Sequence, residues 1–372
     1  MITFRSIRDA IKGNDFILLF LALTATVIGL VFIFSATRNM SGSYRFIVVQ
    51  IGAMILGIFV MHAISKIDYE DILSTWKFVA VICLILLLLL IIIGVGKGST
   101  GSTRWIRFGP IGIQPSEIVK IGFIITMSKH LSAVGNQMNY VKNVTLTFLH
   151  LLVPALMIAV QPDAGTAICF VFMYFCMVFV AGINWRYVIG AVASASIFSV
   201  VAWLLLLRPY QKERILAFLS PESAPSTYGY HVLQSKIAIG SGQNLGKGLF
   251  KGIQTQLGIL PEKQTDFIFA VIGEEAGFVM CVVTVVVLFA LILRCLSIGK
   301  KAKTMSGTYI CVGVAAMWIF HVFENIGMTI GLMPVTGIPL PFVSYGGSSL
   351  VTNFMALGLI LSVYSQKRSI NF

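Results

Sequence analysis

The chain has 372 residues, of which 57% are hydrophobic and only 11% charged, and its mean hydropathy is +0.92. Soluble domains average about 25% charged residues, so the composition excludes an ordinary soluble enzyme, a disordered chain and a coiled coil, and leaves a polytopic membrane protein. The net charge of +13 comes from basic residues scattered over short loops, which is the pattern of membrane topology and not of a nucleic-acid surface.

A membrane-spanning helix needs about 20 apolar residues. In chain order the pattern predicts ten spans: 15–36, 44–64, 76–96, 115–132, 144–161, 165–181, 186–207, 267–295, 308–331 and 341–364. The expected fold is therefore all-α, a single integral membrane domain over 1–372 with a large loop between spans 7 and 8, at about 208–266. The first run is longer than the apolar core of a cleavable signal and reads as a retained helix. No internal repeat is visible.

Lys and Arg set the orientation. The two termini and the loops on their side carry 14, the short loops opposite carry 5, and the long loop, a poor reporter of orientation, carries 7. Both termini are thus expected in the cytoplasm, with the 3/4 and 7/8 loops outside. ATP and sugar nucleotides are cytoplasmic, so a catalytic site on the outer face needs a substrate that carries its own activation. The six cysteines (Cys83, Cys169, Cys176, Cys281, Cys295, Cys311) lie in or beside apolar runs with no C-x-x-C pair, which argues against zinc and structural disulfides.

Ionisable residues inside spans are functional candidates. Glu117 and Lys120 are spaced to share one helix face, as a self-neutralising pair or as a polar face toward an outer cavity. Arg104, Trp105 and Arg107 precede them, with Trp105 suited to an interfacial anchor or a sugar face. Asp163 in "QPDAGT" is either turn chemistry or a carboxylate on the same cavity. Asp266 in "LPEKQTDFIFAVIGEEAGF" stands at the mouth of span 8, as a helix cap or a general base. Glu274 and Glu275 lie about 12–13.5 Å deeper along the helix and require a cation or polar network. His321, Glu324 and Asn325 share one face of span 9, in a pattern that suits interhelical hydrogen bonds.

In the 9/10 loop, Pro334, Pro339 and Pro341 argue for irregular backbone lining a cavity, with Ser344 to Gly347 forming a turn into span 10. The stretch 228–248 fails both the phosphate-loop and dinucleotide patterns and reads as interfacial amphipathic helices with glycine breaks. Arg208, Lys212, Arg214, Lys236 and Lys247 make that loop attractive to phosphates or to anionic lipid headgroups.

Taken together, "RWI…QPSEIVK", "QPDAGT", "GYHVLQSKIAIGSG", "LPEKQTDFIFAVIGEE" and "PLPFVSYGGSS" resemble, in order and over nearly the whole chain, the SEDS (shape, elongation, division and sporulation) family of bacterial cell-wall polymerases. The wording of "QSKIAIGSG" is most similar to its elongation branch. "SPESAPSTYGYH" and Ala276 in "EEAGF" depart from the usual pattern, away from Asp266.

The resemblance implies a peptidoglycan glycosyltransferase that polymerises lipid II at the outer face of the bacterial cytoplasmic membrane. It implies Asp266 as the catalytic carboxylate. Trp105, Glu117, Lys120, Asp163, Arg208, Arg214 and Ser344 are the expected substrate-binding residues. A divalent cation is the one cofactor the diphosphate leaving group would admit. A class B penicillin-binding transpeptidase and elongation-complex membrane proteins are the expected partners. The rival readings are a flippase for lipid-linked precursors, a division or sporulation member of the same family, and a scaffold for a partner's helix.

Overall fold

In the computed structural model, residues 15–40, 42–93, 105–108, 111–161, 163–207, 212 and 228–366 are described. The helices, in chain order, are α1 Phe16–Thr37, α2 Ser43–Ser65, α3 Tyr69–Ser74, α4 Trp76–Ile93, α5 Pro115–Val134, α6 Val141–Val160, α7 Ala164–Val180, α8 Trp185–Val201, α9 Tyr228–Gly242, α10 Ile253–Gln256, α11 Ile268–Lys300, α12 Met305–Ile330 and α13 Gly347–Ser365. A two-stranded hairpin, β1 Ile106–Phe108 and β2 Ile111–Ile113, precedes α5. Among the described residues eight helices are long and apolar enough to cross a membrane, and α4 and α7 are shorter apolar helices. These ten match the ten expected spans, and the chain is a multi-pass all-α membrane protein.

Local chemistry sets the helix starts. Asp15 caps α1 by accepting from Leu18 N (2.9 Å) and is held by Arg294 of α11 through two guanidinium bonds, 2.5 and 2.9 Å. Asp163 caps α7 through Thr166 N, and Pro115 occupies the first turn of α5, where no amide donor is needed. The centre of the bundle is α5, α12 and α13, whose apolar windows are 61%, 78% and 72% buried, while none of the α8 window is buried.

The structure differs from the sequence reading in several places, the β1–β2 hairpin and α10 among them. Span 10 begins at Gly347 and not at 341, because Pro339 and Pro341 lack amide donors and Phe342 sits at φ 63. A short amphipathic helix, α3, was not foreseen. The glycine-rich stretch 228–248, expected as helices with glycine breaks, is one continuous helix as far as Gly242. It forms α9, which packs on α11 and α12, with Ser235 Oγ donating to Thr329 O (2.7 Å).

Span 8 is longer than expected and broken. Gly277 sits at φ 72, ψ −172 inside α11, and the loop after α9 closes the break. Lys247 N and Gly248 N donate to the carbonyls of Glu274 and Glu275 (3.0 and 2.9 Å), and Phe278 N and Val279 N donate to Gln243 O and Asn244 O (2.8 and 3.2 Å). The free ends of two half-helices are thus satisfied by one loop. A Cβ on Gly277 would fall 2.3 Å from Gly246 N. Gly277→Ala is therefore expected to lower the thermal unfolding midpoint in detergent, the backbone conformation alone costing roughly 1–3 kcal/mol; an unchanged midpoint would show that the break is not required.

Candidate functional site at the mouth of the broken helix

Asp266 immediately precedes Phe267, the cap residue of α11, so it is not itself the cap. Its backbone is fixed from two sides. Asp266 N donates to Glu262 O (3.1 Å), a carbonyl that also accepts from Thr265 N and Phe267 N (3.2 Å each). Asp266 O accepts from Asn325 Nδ2 of α12 (3.0 Å), whose other donor bond goes to Ile338 O (2.8 Å). The segment before α13 closes the third side. Ser344 Oγ donates to Thr265 O (2.7 Å) and accepts from Leu340 N (2.8 Å), and Tyr345 N donates to Gln264 O (2.9 Å). Gln50 of α2 holds that segment through Ser344 O (3.2 Å) and Gly346 N (3.1 Å). Glu262 and Phe342, both non-glycine residues at positive φ (42 and 63), flank this platform. Such strain persists only where the surroundings over-determine it.

The second group of expected residues lies on α5, α7 and α12. Lys120 Nζ donates to Glu117 Oε1 (2.6 Å) and lies 2.9 Å from His321 Nε2. All three side chains are buried. Since the ammonium has no acceptor capacity, His321 Nε2 is the acceptor and the proton of a neutral ring sits on Nδ1, a buried atom with no partner among the described residues. Lys120 retains a third donor beyond those two bonds. Cys169 of α7 lies within electrostatic reach of Lys120, Glu117 and Asp163, which places the start of α7 near the ion pair on α5.

The cluster is tied to the Asp266 platform by the 336–338 segment. A Cβ on Gly165 would meet Thr336 and Ile338 within about 3 Å, Thr336 Oγ1 donates to Glu324 Oε1 (2.9 Å), and Ile338 O shares Asn325 with Asp266.

Trp105 is half-exposed beside the hairpin, its indole packed over Gly112. Ser348 pins the hairpin to α13, accepting from Gln114 N (3.1 Å) and donating to Gly112 O (3.2 Å). Arg104, Arg208 and Arg214 lie outside the described residues, as does the Arg107 side chain. Lys212 sits over the Trp203 ring.

Glu274 and Glu275 meet the polar network that their depth required. Glu274 accepts from Gln254 N, Thr255 N and Thr255 Oγ1 (2.8, 2.9 and 2.7 Å) and from Lys247 Nζ at 3.4 Å. Glu275 accepts from Ser35 Oγ of α1 (2.5 Å) and Gln256 Nε2 (2.9 Å). These are structural carboxylates that bind the loop after α9 to α1 and α11. Ser35, Gln50, Thr255 and Ser348 were not foreseen as part of the site. The signal available was only that Ser35 and Gln50 are polar residues inside apolar helices. Among the described residues no three His, Cys, Asp or Glu side chains group as a metal site.

The fold and site define a membrane-embedded protein with one half-buried carboxylate at a helix mouth beside a buried ionic cluster. The family model for FtsW, RodA and SpoVE, described as cell cycle protein, matches residues 15–369, and the chain belongs to that family. Peptidoglycan glycosyltransferase MrdB of Escherichia coli (strain K12) is 35% identical over 322 residues, covering 87% of this chain and 86% of that protein. Stage V sporulation protein E of Bacillus subtilis (strain 168) is 36% identical, covering 95% and 98%. Among solved structures, a chain of a peptidoglycan synthase complex described for its coordination of polymerization and crosslinking superposes with TM-score 0.81 at 30% identity, covering 94% of this chain and 97% of that one. The rod shape determining protein RodA of Thermus thermophilus superposes with TM-score 0.71 at 28% identity, covering 95% and 98%.

Two outcomes follow for the site. Removing one partner of a buried ion pair leaves an uncompensated charge, at a cost of roughly 3–5 kcal/mol, whereas removing both is far milder. Glu117→Leu alone should therefore lower the unfolding midpoint more than Glu117→Leu with Lys120→Met, as read by thermal melts in detergent. His231 of α9 sits edge-on to Phe267, with ring centroids 6.2 Å apart. Burial lowers the pKa of its imidazole, against the opposing charge of Glu262. The folded state thus favours the neutral ring, and its contribution to stability is present above the unfolded value of about 6.5 and is lost as pH falls below it. The melting midpoint should drop between pH 7.5 and 5.5, and less so in His231→Gln.

Proposed function

We propose that this chain, a peptidoglycan glycosyltransferase by its family and its curated relatives, polymerises lipid II into β-1,4-linked glycan strands. The reaction takes place at the outer face of the bacterial cytoplasmic membrane, in cell elongation, with both termini in the cytoplasm. The Lys/Arg asymmetry supports that sidedness. The observation that carries the mechanism is the fixing of Asp266 by Glu262 and Asn325 while its side chain stays only half-buried at the mouth of α11.

In the reaction the 4-hydroxyl of an acceptor GlcNAc attacks the anomeric carbon of a donor MurNAc. The new C–O bond forms as the bond to the undecaprenyl diphosphate breaks, and the hydroxyl proton passes to Asp266 as general base. A single displacement inverts the anomeric centre, as a β-linkage requires. Positive charge from Lys120, Arg208 and Arg214 meets the departing diphosphate, and a divalent cation carried on that diphosphate would add to it.

Glu117 and His321 hold Lys120 in place, and Asp163 and Trp105 line the approach. Ser344 acts by holding Thr265, the neighbour of Asp266. The proposed partner is a class B penicillin-binding transpeptidase, within a set of elongation-complex membrane proteins. The synthase complex among the structural matches supports that pairing.

A positioned base contributes about 10²–10⁴-fold to a rate. Purified wild-type protein given lipid II, with and without a class B partner, should form polymer on a gel. Asp266→Asn should fold normally and lose at least that factor. Normal polymer from a folded Asp266→Asn protein would refute the assignment of the base.

A further inference from the structure

A cavity of about 310 Å³ opens between the end of α1 and the 256–264 segment, lined among others by Asn39, Gln256, Glu262, Lys263 and Gln264. Its volume is at the lower end of the range for small-ligand sites, about 300–1,000 Å³. The wall it shares with the Asp266 platform is a single hydrogen-bonded turn, because the carbonyl of Glu262 is the one that accepts from Asp266 N at 3.1 Å.

The floor is rigid. Gln256 Nε2 donates to Ser35 O, Ser35 Oγ and Glu275 Oε1 (3.3, 3.2 and 2.9 Å), and Asn39 Nδ2 donates to Gln256 O and Oε1 (3.1 Å each). Two groups are left to a ligand. Asn39 Oδ1 and the whole side-chain amide of Gln264 make no hydrogen bond to another described residue.

The charges in the cavity select the ligand class. Glu262 is exposed and disfavours carboxylates and phosphates. Among the described residues Lys263 is the only cation lining the cavity, and it is 5% exposed with its ammonium committed to Thr255 O (2.5 Å). What remains is neutral amide chemistry, donor and acceptor together, beside Met40, Leu257, Leu260 and Pro261. That suits hydroxyl and N-acetyl groups on an apolar ring face. It does not suit a diphosphate, nor the acidic stem peptide of a cell-wall precursor.

We propose that this cavity is a saccharide subsite that holds sugar units of the glycan strand next to Asp266, with Asn39 and Gln264 as its specificity-determining residues. The proposal rests on the glycosyltransferase reading. It adds that the strand is gripped through its sugars by the outer loop, separately from the diphosphate, which the charges on the α5 side would take. Holding the strand between additions keeps it near the base and lengthens the product.

The test uses a soluble GlcNAc–MurNAc tetrasaccharide without diphosphate or peptide as probe, with binding to the full-length protein in detergent read by calorimetry. Wild type and Asp266→Asn should bind it alike. Asn39→Ala with Gln264→Ala should bind it at least about tenfold more weakly, as expected for two lost hydrogen bonds, and should make shorter strands from lipid II. Gln264→Leu leaves the Asn39–Gln256 clamp intact and should show the same direction if the double variant is unstable. Absence of wild-type binding, equal binding by the variants, or unchanged strand lengths would overturn the subsite. Polymer formation without saccharide binding would sink the subsite and spare the polymerase reading; saccharide binding without polymer would do the reverse.

Discussion

The structure depends on one interruption. A continuous α11 would satisfy its own backbone and have no reason to touch the loop outside it. The break at Gly277 exposes two carbonyls and two amides inside an apolar helix, where unsatisfied buried groups cost several kcal/mol each. The loop after α9 supplies all four bonds, and the side chains of Glu274 and Glu275 add a second layer of bonds to the α10 region and α1. The long polar loop is thereby made part of the membrane bundle. Asp266 inherits its position from this arrangement, because it lies between the loop so anchored and the half-helix that follows.

The same logic explains why the site draws on helices far apart in sequence. Asn325 comes from α12, Ser344 from the segment before α13, and Gln50 from α2. Each bonds to backbone, and none needs to contact substrate to matter. A catalytic group must be held within a fraction of an ångström, and for the base proposed at Asp266 these backbone hydrogen bonds supply that constraint on its main chain. The Lys120 cluster follows a different rule. Its charges are compensated internally by Glu117 and its neutral partner His321, which lets an ammonium persist in a buried position.

Much of this was legible in the sequence. Ten apolar runs gave the ten helices, and the rarity of charge inside them singled out Glu117, Lys120, Asp163, Asp266, Glu274 and Glu275. The spacing of His321 and Asn325 showed that they share a face; His321 bonds across to Lys120 of α5, while Asn325 bonds to the backbone just before α11 and at Ile338. Three things were hidden. The break in α11 has no local signature, since Gly277 in an apolar run looks like any helix-packing glycine, and only its loop partner requires φ > 0. The docking of α9 depends on tertiary contacts that periodicity does not encode. The bracing role of Ser344 was hidden because a serine in a proline-rich turn gives no sign that its hydroxyl donates to Thr265 O and accepts from Leu340 N.

The central claim is that Asp266 does the chemistry and that Asn325 serves it by fixing its backbone. A double-mutant cycle on the initial rate of lipid II polymerisation tests both halves together, using Asn325→Leu, Asp266→Asn and the pair, with folding checked by thermal melts. If Asn325 acts through Asp266, Asn325→Leu alone slows the reaction by about tenfold or more, as expected when a positioned group is released, and adding it to Asp266→Asn costs nothing further. Losses that multiply in the double variant, or an Asn325→Leu rate equal to wild type, would contradict the account.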